Sequence, residues 1–121
     1  MRLKPLILLL FTAALLLGQS MSKSEYYEDF SAITSAEEWD RGEKLYTRAV
    51  LEYPNEINFH CYLNEMLRKL KKNREALAQI TPVFRHNMDH SYVLGCYKWS
   101  LIEYGIQKRE EKKLEEALDL L

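Results

Sequence analysis

An all-α fold is what this sequence predicts, and three observations predict it. From residue 22 onward, apolar residues recur at steps of three and four, the spacing of one helix face. Alternating β-branched runs and Asn-Gly hairpin turns are missing. Glycine and proline are scarce. With 121 residues the chain has enough for one small domain and too few for two independent cores. A net charge of −1 gives no electrostatic case for nucleic acid.

The segment 1–20 reads as a secretory signal peptide. "MRLK" is positively charged, "LILLLFTAALLL" (6–17) is apolar apart from Thr12, and "GQS" closes it with small and polar groups. As a helix, the apolar run spans about 18 Å, short of a bilayer core of about 30 Å. Cleavage is expected after Ser20, making the protein exported, periplasmic or secreted; the alternative is a membrane anchor at residues 5–18. No cysteine follows the apolar stretch to take a lipid. Without Arg2 and Lys4 the remaining chain stands at −3, which is mildly acidic.

Residues 21–121 then form the domain. Over 36–53, Trp39, Gly42, Tyr46, Ala49, Val50 and Tyr53 share a face, and Ser35 with Glu38 has the spacing of a capping box. Pro54 ends that helix, with Asn55 as a cap for the next. Phe59, Tyr62, Leu63, Met66, Leu67 and Leu70 mark a helix over 56–71, with Arg68, Lys69, Lys71 and Lys72 where its dipole favours cations. Ala76, Leu77, Ile80, Val83 and Phe84 mark another, kinked or shortened at Pro82. "RHNMDH" reads as a loop. Residues 91–107 are apolar almost all round, as in a helix covered on more than one side. "EKKLEEALDLL" reads as a last element of its own.

One spacing recurs. Gly42, Tyr46, Ala49 and Pro54 stand at offsets of four, three and five, and raising each of those numbers by 34 gives Ala76, Ile80, Val83 and Met88. Small, large and apolar classes repeat; only the proline does not. Ala117 follows Ala76 at a longer interval, with Leu121 four further on, as a longer first helix in that unit would require. A 34-residue helix–turn–helix unit of this kind resembles the tetratricopeptide repeat. The resemblance covers 23–121, in units of about 23–56, 57–90 and an irregular 91–121. In the first helices His60 and Asn64 stand where the family commonly has tryptophan and a small residue. The resemblance implies a short right-handed solenoid in which Gly42, Tyr46, Ala49, Pro54, Ala76, Ile80, Val83 and Ala117 serve repeat packing. It also implies a concave surface, made by the first helices, that binds a protein or peptide. Carried over by position, that groove presents Asn58, Cys61, Glu65 and Arg68, with Trp99 in the third unit.

Reactive constellations are thin. His86 and His90 have the i,i+4 spacing of helical zinc ligands but sit in a loop stretch without H-E-x-x-H. His60 beside Cys61 points elsewhere on a helix, with no third partner. Neither a metal, a cofactor nor catalysis is expected. Cys61 and Cys96 miss the repeat period by one position, and equivalent positions on packed helices lie about 8–10 Å apart. A disulfide needs α-carbons within about 7 Å. Two buried thiols are therefore the default reading, with a disulfide as the alternative. "KREEKKLEE" (108–116) reads as a solvated helix surface.

The expected function is an exported, non-enzymatic interaction module with a protein or peptide partner and no nucleic acid. Apolar "LDLL" at the end of the chain adds a second expectation, self-association through the C-terminal helix or completion by a larger repeat assembly. A small-ligand binder using Tyr92, Tyr97, Trp99 and Tyr104 is the third.

Overall fold

The computed structural model describes residues 21–120, so the segment read as a signal peptide lies outside the described residues. Five helices follow in order: α1 (Lys23–Ala36), α2 (Trp39–Glu52), α3 (Ile57–Lys69), α4 (Asn73–His86) and α5 (Ser91–Asp119). There is no strand among the described residues, and none of their helices is long and apolar enough to cross a membrane.

The helix ends explain the boundaries. Ser22 starts α1 with a reciprocal cap: its hydroxyl accepts from the N–H of Glu25 at 3.2 Å, and the Glu25 carboxylate accepts from the N–H of Ser22 at 3.1 Å. Ser35 and Glu38, expected to form such a box, do not. Ser35 lies in the last turn of α1, and Glu38 precedes α2 without a side-chain cap. Between them Glu37 takes a left-handed conformation (φ 53°), so that the N–H of Glu38 reaches back to the Ile33 carbonyl at 3.0 Å. Lys71 (φ 63°) ends α3 in the same way, with the N–H of Lys72 on the Leu67 carbonyl at 2.9 Å. Asn55 does not cap α3; Glu56 holds that place.

These turns recur in register. Glu38 and Lys72 share the same backbone angles, φ −86° and ψ 61°. Lys23, Ile57 and Ser91 begin α1, α3 and α5 at equal intervals, and Trp39 and Asn73 begin α2 and α4 at that same interval. It is the interval that separates Gly42 from Ala76 in the sequence. Beyond Ser91 the pattern changes. The stretch read as a separate last element is the distal part of α5, a single helix of 29 residues. No proline falls within it, and its two glycines do not break it. Pro82 does not shorten α4; the helix runs on to His86.

Each helix packs on the next, and α5 also packs on α3. One core joins Tyr26 and Ile33 of α1, Tyr46 and Ala49 of α2, Phe59, Leu63, Met66 and Leu67 of α3, and Ala76 of α4. A second joins Cys61, Ile80, Val93 and Cys96 beneath α5. Burying a large apolar side chain contributes about 1.5–3 kcal/mol. The tightest approach is at Gly42, where an added Cβ would lie 2.3 Å from Met66 Sδ and 3.0 Å from Ile33 Cγ2. Hydrogen there is what lets α2 lie against both α1 and α3.

Candidate partner-binding face

Three tyrosines, one on each odd-numbered helix, form a continuous ladder. The rings of Tyr27 (α1) and Tyr62 (α3) meet edge-on with centroids 5.9 Å apart, and those of Tyr62 and Tyr92 (α5) at 6.2 Å. Phe30 stacks flat on Tyr62 at 3.8 Å. All three tyrosines are half-buried, so one edge of the ladder is open to solvent. Tyr27 Oη donates to Glu56 Oε1 at 2.5 Å and accepts from Asn58 Nδ2 at 3.2 Å, while Tyr92 Oη donates to Glu65. Hydrogen bonding to Tyr27 and the ammonium of Lys23 hold the Glu56 carboxyl below the usual range. Burial and the Glu65 carboxylate push the Tyr92 phenol well above its ordinary value.

At the α5 end of the ladder opens a cleft of about 390 Å³, lined by Glu65, Arg68, Tyr92, Gly95, Cys96 and Trp99 among others. Trp99 is 55% exposed, a large apolar side chain left in water. Gly95 contributes room: nothing lies within 4 Å of a Cβ built there. Arg68 is held from behind, its Nε donating to Asn64 Oδ1 at 2.8 Å and its Nη1 lying 3.6 Å from Glu103. The cleft therefore offers a carboxylate, a guanidinium and an indole on a fixed frame.

Of the five groove residues expected from sequence, Glu65, Arg68 and Trp99 come together in this cleft. Asn58 stands apart from it on the ladder, bonded to Tyr27. Cys61, expected to face a partner, does not: it is fully buried in the second core. Its position on α3 points between α4 and α5, where Cys96 Sγ sits 3.9 Å from its carbonyl oxygen. Both cysteines are free thiols, and the Cys96 thiol and burial together push Cys61 far up.

Among the residues expected to serve packing, Gly42, Tyr46, Ala49, Ala76 and Ile80 are buried and Val83 is half-buried. Pro54 is exposed in the α2–α3 turn. Ala117, expected to sit between helices, is exposed on the distal part of α5, because no further helix packs there among the described residues. The histidines of the zinc spacing are separate in role: His90 caps α5, and His86 bonds the Pro82 carbonyl at 2.9 Å.

Sequence reasoning missed the ladder. Tyr62 reads as part of a core stripe and Tyr27 carries no motif. The available signal was that the separation of Tyr27 and Tyr62 misses the 34-residue repeat interval by a single position. No family model, curated protein or solved structure matches this chain.

Proposed function

We propose that this chain is an exported, non-enzymatic protein-interaction module that holds a protein or peptide segment along the face formed by α1, α3 and α5. The observation that carries the reading is Trp99, left exposed beside Glu65 and Arg68 over an open cleft. Exposed aromatics next to fixed charges are the anchors from which protein interfaces draw most of their energy. In this reading the fold is a short right-handed solenoid of tetratricopeptide-like hairpins. Support comes from the equal intervals between helix starts and from the matched turns at Glu37–Glu38 and Lys71–Lys72. Export rests on the charged, apolar, small-residue order of residues 1–20. No metal or cofactor belongs to it.

The test is crosslinking and mass spectrometry on the native envelope with wild-type chain, Trp99→Ala, Gly95→Leu and Glu65→Lys. Gly95→Leu is the most selective, because it fills the cleft at a site where an added Cβ meets nothing. A set of crosslinked proteins lost in all three variants, with helical circular dichroism unchanged, is the expected result. An identical set in wild type and variants would remove this face from consideration. The mass of the exported chain tests the signal segment separately.

A further inference from the structure

We propose that a second copy of this chain docks antiparallel along the outer face of distal α5. The helix is about 44 Å long at 1.5 Å per residue, roughly twice the length of α4. Its first half packs through Val93, Cys96 and Ser100; every residue from Lys108 to Leu120 is exposed. At about 100° per residue, Ile102, Ile106, Glu110, Lys113, Ala117 and Leu120 fall on one face, turned away from the packed one. Ile102 and Ile106 are 49% and 48% exposed and Leu120 is 88% exposed. Apolar groups thus lie at both ends of this face, with an opposite-charge pair between them.

The occupant follows from the charges. When the chain direction is reversed about the point between Glu111 and Lys112, Glu110 falls opposite the Lys113 of a second copy. Within this face no two like charges stand level; Lys108, Glu111, Lys112 and Glu115 lie off it, toward the other side of the helix. Ile106 meets Ala117, and Arg109 falls within reach of Glu116. Such a pattern is self-complementary with the chains reversed, as a two-fold interface requires. The intrahelical pair of Lys113 Nζ with Glu110 Oε1, 3.4 Å apart and largely exposed, becomes half of a four-charge cluster on the axis. Shielded on both sides by apolar side chains, that cluster fixes register as well as affinity. The two bodies lie at opposite ends of the pair.

Sedimentation equilibrium on the full exported chain tests this. The expected result is a reversible monomer–dimer equilibrium that weakens as salt is raised. Lys113→Glu should raise the dimer Kd by about tenfold or more, because it places like charges on the axis twice per dimer. Adding Glu110→Lys to it swaps both charges and should restore the Kd to within a few-fold of wild type. Ile106→Ser should weaken the dimer without touching any charge. Circular dichroism on each variant reads helix content independently. A monomer at every attainable concentration, a dimer indifferent to Lys113→Glu, or a double swap that fails to restore association would each overturn the proposal.

Discussion

Asn64 donates its side-chain amide to Ser100 Oγ at 2.9 Å, across a contact between α3 and α5 in which both residues are fully buried. The same amide donates to the Ala76 carbonyl of α4 at 3.0 Å, and Asn64 Oδ1 accepts from Arg68. One side chain thus ties three helices together and positions the guanidinium of the cleft. Asn64→Ala removes all three of these bonds from a fully buried site, leaving Ser100 Oγ and Arg68 without their Asn64 partner while the Ala76 carbonyl keeps its bond within α4. It should therefore cost about 2–3 kcal/mol in urea unfolding. Ser100→Ala should cost about 1 kcal/mol, and the double variant less than the sum. Additive losses would show that the two side chains do not share a bond that matters.

Asn64 also shows why part of this molecule was legible and part was not. The apolar stripe of α3 placed the helix and its core side, because periodicity reports burial directly. It could not report that Asn64, beside that stripe, is buried against two other helices. Helix ends divide similarly. Ser22–Glu25 and Ser35–Glu38 carry the same local signal, yet only the first caps a helix. What separates them is the left-handed turn at Glu37, where neither the residue type nor its neighbours announce a positive φ. Of the cleft, Glu65, Arg68 and Trp99 were reachable through the repeat spacing. Cys61 was misplaced and the tyrosine ladder missed, because both depend on how α3 is rotated about its axis, which a one-residue change in register alters by about 100°.

The glycines separate by sign. Gly42→Ala gains up to about 1 kcal/mol of helix propensity but drives a Cβ into Met66 and Ile33, both fully buried. Overpacking of that kind costs about 1–3 kcal/mol, so the net change is destabilising. Gly105→Ala meets nothing and should stabilise by about 0.5–1 kcal/mol. Thermal or urea unfolding of the two single variants checks both directions. Shortening the obstruction with Met66→Ala should shrink the penalty of Gly42→Ala, although Met66→Ala alone costs about 2–5 kcal/mol. A Gly42→Ala chain more stable than wild type would mean that α2 does not rely on close approach at that point.

Alkali should unfold this protein through its tyrosines. Five of the eight, Tyr26, Tyr27, Tyr46, Tyr62 and Tyr92, have phenols raised above the ordinary value, in every case chiefly by burial. Tyr26 and Tyr46 are fully buried: Tyr26 Oη donates to Glu52 at 2.9 Å, and Tyr46 Oη donates to the Tyr26 carbonyl at 2.7 Å. An unfolded tyrosine ionises near pH 10. Below that value both states keep their protons and stability is unaffected. Above it the unfolded chain releases protons that the folded chain retains, so stability falls as pH rises. Each such tyrosine steepens the fall by up to about 1.4 kcal/mol per pH unit. Phenolate absorbance followed together with helical circular dichroism should therefore show a cooperative step above about pH 10 in which both change. Tyr26→Phe should make the stability–pH slope shallower there, while lowering stability near neutrality through loss of its bond to Glu52. Complete ionisation of the tyrosines with the helices intact would mean that the Tyr26–Tyr46 core admits water.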